Sequence, residues 1–254
     1  MQIPYFCPEI RTFMSDGLVI IPTYNEIENI ESIIRAVMTL HHEFDLLVVD
    51  DNSPDGTAQK VAQLQPEFAG RLHIENRMSK SGLGTAYVHG FKWALAKDYA
   101  YIFEMDADFS HNPSDLEKLY EACRFGAADV SIGSRYVTGV NVVNWPLSRV
   151  LMSYFASRYV EMIMGMGIND ATAGFMCYKR EVLESIGLDK IKFVGYAFQI
   201  EMKYRAFAKR FKLVEVPIIF TDRTKGQSKM SSAIFKEAMV GVLGLRWKKM
   251  LNRL

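Results

Sequence analysis

Short apolar runs alternate with amphipathic stretches through the first half of the chain, and the two textures predict different elements. Gly17 to Pro22, Leu46 to Val49, Leu72 to Glu75, Tyr101 to Met105 and Val130 to Gly133 read as strands. Ile27, Ile30, Ile33, Ile34 and Val37 fall at helical spacing in a helix from about residue 26 to residue 40. Further helices are expected up to about Gln65, over Thr85–Lys97 and over Pro113–Cys123. Strand and helix in alternation, with short connections, predict an α/β fold: a mostly parallel sheet with helices on both faces. In such sheets ligands bind beyond the carboxyl ends of the strands. Tyr24, Glu26, Asp51, Asp106, Asp108 and Arg135 all fall there.

The strand Tyr101–Met105 runs into Asp106-Ala107-Asp108. Residues two apart on an extended chain point the same way, about 6.5–7 Å apart, so one cation can sit against both carboxylates. Oxygen ligands suit a hard ion such as Mg²⁺ or Mn²⁺. The plainer alternative is a turn that caps the helix opened by Asn112-Pro113. Asp50 to Gly56, after the second strand, is likewise loaded with oxygen groups. Lys80-Ser81-Gly82-Leu83-Gly84-Thr85 lacks the third glycine of a dinucleotide loop and the Gly-Lys-Ser/Thr ending of a P-loop, so a flexible turn before a helix is expected.

Beyond residue 140 the pattern changes. Asn144-Trp145-Pro146 breaks the chain, and Val150–Met164 is helical in pattern with eleven apolar residues of fifteen, punctuated by Ser153 and Arg158. Such a helix either lies in a membrane interface or packs as a core helix. Thr172–Tyr178 and Leu213–Val216 read as strands, Phe198–Lys209 as a helix, and Phe220–Lys229 as a basic loop. From Ser232 an apolar helix ends in Arg246-Trp247-Lys248-Lys249, which suits a membrane surface or packing on the domain.

Charge sharpens this division. Residues 1–130 hold ten Lys/Arg and twenty Asp/Glu, and residues 131–254 hold twenty and nine. The basic second half therefore faces an anion, a phosphorylated substrate or an acidic membrane. No nucleic-acid-binding signature is present. Cys7, Cys123 and Cys177 read as reduced thiols, the five His are scattered, and no apolar run approaches a bilayer span or a signal peptide.

Ile21-Pro22-Thr23-Tyr24-Asn25-Glu26, Val49 to Asp55, Asp106-Ala107-Asp108 and Gly133-Ser134-Arg135-Tyr136 together resemble glycosyltransferase family 2, of GT-A fold. Asn144-Trp145-Pro146, Arg149 with Ser153, Asp170 to Phe175, and Arg223 to Lys229 are similar to the polyprenol-phosphate (dolichol-phosphate) mannose synthases. The resemblance implies an N-terminal extension at residues 1–16, a catalytic domain at 17–230 and a C-terminal amphipathic membrane-surface helix at 231–254. It implies that Pro22, Tyr24, Glu26, Val49 and Asp51 hold guanosine. It sets Asp106, the Ala107 carbonyl, Asp108 and Ser110 round Mg²⁺ or Mn²⁺, although Ser110 stands where relatives often have Gln. Arg135, Arg223 and Lys229 are then phosphate ligands, with Arg149 and Ser153 on the acceptor phosphate.

The implied reaction moves mannose from GDP-mannose to a polyprenyl phosphate with inversion, with Asp106, Asp108, Arg135 and Arg223 as the catalytic set. A phosphomonoester is already ionised at neutral pH, its second pKa being near ~6, so no general base is needed. The implied setting is the cytoplasmic face of a membrane, alone or with a small integral partner. Transfer of glucose or N-acetylglucosamine from a UDP-sugar, or a silent sugar-nucleotide-binding module, are the competing expectations.

Overall fold

A computed structural model describes residues 15–195, 197–223, 241–247 and 249. The elements run β1 (Gly17–Thr23), α1 (Ile30–Met38), β2 (Asp45–Asp50), α2 (Thr57–Leu64), β3 (Leu72–Asn76), α3 (Leu83–Leu95), β4 (Tyr101–Glu104), α4 (Asp115–Arg124) and β5 (Val130–Ser134). Then come β6 (Val142–Val143), α5 (Leu147–Met164), β7 (Met176–Lys179), α6 (Arg180–Ser185), α7 (Ala197–Ala208), β8 (Leu213–Pro217) and β9 (Phe220–Thr221).

Seven strands form one sheet in the order β3-β2-β1-β4-β7-β5-β8. Neighbours are parallel except β7, which runs antiparallel between β4 and β5. β1 shows why the sheet is covered twice. Leu18 and Ile20 enter one core cluster with Tyr87 and Phe91 of α3, and Val19 and Ile21 enter the other with Ile33 and Ile34 of α1. Alternate side chains of a strand take opposite faces, so a strand buried on both reads as an unbroken apolar run.

Two elements depart from expectation. The strand expected from Thr172 begins only at Met176, because Asp170 to Gly174 is spent on a turn. Asp170 there accepts from the main-chain N–H and side chain of Arg135, and the Ala173 carbonyl accepts from buried Lys203 at 2.5 Å. The helix expected from Val150 begins at Leu147, directly after Pro146. Val160 and Met164 of α5 enter the core. Its outer face instead leaves Leu147 (70% exposed), Leu151, Met152, Phe155 (62%) and Met162 (79%) in solvent, so it is a core helix only along one edge. None of the helices among the described residues is long and apolar enough to cross a membrane.

In the C-terminal region, 241–247 is helical; Val242 and Leu245 are buried against the core, while Leu243 and Trp247 are exposed. The N-terminal extension up to residue 14, Lys229 with the rest of loop 224–230, and the helix expected over 232–240 lie outside the described residues.

Candidate active site

A cavity of about 370 Å³ opens at the carboxyl ends of β1, β2 and β4. Pro22, Tyr24, Glu26, Asp51, Asp106, Ala107, Asp108 and Arg223 all line it. Residues from four separate sequence motifs thus meet in one place.

The turns after β1 and β2 brace each other. Asn25 and Asn52 both take a left-handed conformation, φ 58°, which Asn tolerates better than other L-residues. Ser53 Oγ accepts from Asn25 N–H, and Thr57 Oγ1 accepts from Glu26 N–H, each at 3.0 Å. The consecutive acids divide their work. Asp50 is fully buried and accepts from Thr23, from the Ser53 hydroxyl and from Ser53 N–H, so its part is to hold the turn. Asp51 faces the cavity instead. Burial pushes its carboxyl above the usual range against the pull of Arg77, whose Nη1 is 3.1 Å away, and its Oδ1 has no hydrogen-bond partner.

After β4 the chain turns through Phe109, again at φ 58°, an unusual conformation for a bulky residue and a mark of local strain. The turn brings Ser110 N–H to Asp108 Oδ1 at 3.0 Å, and Arg223 Nη2 lies 3.2 Å from Asp108 Oδ2. Burial, and then the Asp108 charge, push the Asp106 carboxyl up to about 7. Behind it buried Glu104 accepts from Tyr178 at 3.0 Å and from Gln199 at 2.6 Å, and burial lifts its carboxyl to about 8. Two carboxylates so arranged favour the arrival of a cation. Among the described residues no group of three or more His, Cys, Asp and Glu could hold a metal, so an ion here would draw remaining ligands from a phosphorylated ligand or water. The donor set is all oxygen and fits Mg²⁺ or Mn²⁺.

Other expected residues stand apart from this cavity. The Val49 side chain is fully buried in the core, leaving only its main chain for a nucleoside. Ser110 offers its backbone to Asp108, and its side chain does not line the cavity. Arg135 is buried against Asp170, with Nε to Oδ2 at 2.7 Å and Nη2 to Oδ1 at 2.6 Å, and also donates to Thr172 at 2.8 Å. Burial works against charge on Asp170, but Arg135 outweighs it and holds that carboxyl below the usual range. Arg149 donates to Asp222 at 2.9 Å and stacks on Trp145 at 4.1 Å, and Ser153 follows it one turn later on α5. Asp222 and Arg223 are consecutive, so one peptide links this second cluster to the cavity.

Several lining residues were not foreseen. The loop taken for a flexible turn contributes Lys80, Gly82 and Leu83. Lys80 Nζ lies 4.3 Å above the Tyr24 ring, and Gly82, at φ 99°, lets the backbone pass close to the Val194 carbonyl. Val194 and Gly195 close the opposite wall, and nothing in their local sequence signals it. His111, by contrast, sits buried between the two clusters, its ring stacked 4.8 Å from Phe175. Burial drives its pKa down to about 4, so it is neutral.

Residues 18–187 match the family described as Glycosyl transferase family 2. The chain is 48% identical over 225 residues to the polyprenol monophosphomannose synthase of Mycolicibacterium smegmatis, covering 89% of this chain and 84% of that protein. It is 44% identical over 241 residues to the undecaprenyl-phosphate mannosyltransferase of Micrococcus luteus, covering 93% and 98%. Its fold resembles glucosyl-3-phosphoglycerate synthase of Mycobacterium tuberculosis, solved with Mn²⁺, UDP-glucose and phosphoglyceric acid. That likeness has a TM-score of 0.66 and 16% identity, and covers 91% of this chain and 79% of the other. Motifs in register, a shared fold and likeness across nearly the whole length agree: the chain belongs to glycosyl transferase family 2.

Proposed function

We propose that the protein transfers mannose from GDP-mannose to a polyprenyl phosphate at a membrane surface, with Mg²⁺ or Mn²⁺, and inverts the anomeric centre. The observation that carries this reading is the pairing of an acidic cavity with a basic, aromatic cluster through Asp222 and Arg223. The names of the two similar mannosyltransferases support the sugar and the lipid class.

In this reading Tyr24, Lys80 and Asp51 receive the base. Guanine offers two adjacent N–H donors on one edge where uracil offers one, and a buried carboxylate such as Asp51 can accept both. Asp106 and Asp108 hold the divalent ion, which when bound supplies Lewis-acid stabilisation to the departing diphosphate. Arg223 turns from Asp108 to the diphosphate, where a guanidinium makes charge-assisted, bidentate bonds. The acceptor phosphate binds at Arg149 and Ser153, and its ionised oxygen attacks the sugar carbon opposite the leaving group. His111 is neutral and buried, and no step requires it to take a proton.

The exposed apolar face of α5 carries the acceptor residues on the same helix, which suits a lipid whose head must reach them while its tail stays in a bilayer. The cytoplasmic face is the side where sugar nucleotides are available. The test is transfer from labelled GDP-mannose or UDP-glucose to farnesyl phosphate, with product mass and anomeric configuration measured. β-Mannosyl phosphate is expected. Product from UDP-glucose alone, or retention of configuration, overturns the reading.

A further inference from the structure

Two buried donors beside α5 have no acceptor among the described residues. Tyr136 is only 6% exposed, and its hydroxyl, approached by the Ser153 side chain, has no acceptor for its own proton among the described residues. The indole Nε1–H of Trp145 is also buried and unpaired. Folding removes such groups from water without return, so each needs an explanation.

The two belong to one cluster. The Trp145 ring lies 4.1 Å from the Arg149 guanidinium carbon and 5.6 Å from that of Arg135. The Tyr136 ring lies 5.3 Å from Arg135 and meets Tyr154 of α5 edge-on at 5.6 Å. Ser153 follows Arg149 by four residues on α5, which sets both on one helix face. The Ser153 side chain lies beside the Tyr136 hydroxyl. Two neutral donors without an acceptor among the described residues therefore flank the arginine and serine assigned to the acceptor.

We propose that the Tyr136 hydroxyl and the Trp145 indole N–H are further ligands of the acceptor's phosphate, acting with Arg149 and Ser153. This rests on the reading of those two residues as the acceptor side. A phosphate monoester presents three strong acceptor oxygens. Both neighbouring arginines are already paired with carboxylates, Arg149 with Asp222 and Arg135 with Asp170. Another cation on each oxygen would hold the ground state as firmly as the transition state, with no gain in rate. Neutral donors orient two oxygens and leave the third, still nucleophilic, turned to the sugar.

The test is titration of farnesyl phosphate into the full chain without any donor, compared with farnesol. Wild type, Tyr136→Phe, Trp145→Phe and Arg149→Ala are measured, with GDP titration and thermal melting alongside. Each of Tyr136→Phe and Trp145→Phe is expected to weaken farnesyl phosphate roughly tenfold, the scale of a lost hydrogen bond to a charged group, with GDP binding within about twofold. Farnesol binding stays the same. Tyr136→Phe should melt at the same or a higher temperature, since it removes an unpaired buried hydroxyl; a structural hydroxyl would give the reverse. Unchanged farnesyl phosphate affinity in both variants, or equal losses for farnesol, overturns the proposal even where mannosyl transfer is established. Weakening in these variants upholds it even where the donor proves to be another sugar nucleotide.

Discussion

Arg223 Nη2 lies 3.2 Å from Asp108 Oδ2, so the protein's own guanidinium neutralises one of the two carboxylates assigned to a metal. Arginine and ion therefore compete for Asp108 until a diphosphate gives Arg223 another partner. Arg223→Ala should bind Mn²⁺ alone at least as tightly as wild type, read by electron paramagnetic resonance. Transfer should fall by roughly 10²–10³, the range for losing one preorganised donor to developing charge. Loss of Mn²⁺ binding in this variant would contradict the competition.

Asp106 gives a pH dependence of definite sign. Its folded pKa of about 7 stands above the value near ~3.9 of an unfolded Asp. Between those values the folded protein binds more protons than the unfolded chain, so the contribution of Asp106 to the stability of the metal-free protein falls as pH rises and levels off above about 7. Buried Glu104, raised to about 8, adds a slope of the same sign. Asp106→Asn should make the combined slope shallower while abolishing transfer. A metal needs the deprotonated form, so Mn²⁺ affinity should drop by about tenfold per pH unit below 7. A flat affinity across that range counts against Asp106 as a ligand.

Arg135 and Arg149 should separate by stability. The Arg135–Asp170 pair is buried, and removing one partner strands the other charge, at a cost of about 3 kcal/mol or more. Arg149 and Asp222 are partly solvated, and Arg149→Ala should lose less than about 1 kcal/mol. Urea unfolding of Arg135→Ala and Arg149→Ala, measured with transfer, tells a structural loss from a functional one. Equal midpoints would contradict the difference in burial.

The outer face of α5 makes a prediction about location. Leu151→Ser combined with Phe155→Ser should reduce sedimentation with anionic vesicles. GDP binding should be untouched and stability within about 0.5 kcal/mol, as for exposed positions generally. Undiminished sedimentation would assign membrane attachment elsewhere.

The first half of the fold was legible because β1, β2 and β4 are apolar on both faces and each ends in polar residues that turn. Five motif residues that follow those strands, Tyr24, Glu26, Asp51, Asp106 and Asp108, converge together with Pro22 and Ala107, while Arg135 stands apart. What escaped depends on distant partners. β7 is antiparallel, and no local periodicity distinguishes it from a parallel strand. Lys80 to Leu83 matched no phosphate-loop pattern, yet it lines the cavity because Gly82 lets it close against Val194. The motif around Arg135 was visible, but its Asp170 partner lies thirty-five residues on and only the fold brings them together.

The position of β7 also bears on how the protein is made. β4 and β5 are finished early in synthesis, yet the strand that joins them is Met176–Lys179. A chain emerging from the ribosome must hold both edges open until that stretch is released, and pairings over such separations form slowly. The same late strand carries the turn that captures Arg135. Joining of β4 to β5 and capture of Arg135 by Asp170 are therefore a single event during biogenesis, with β8 added to the edge afterwards.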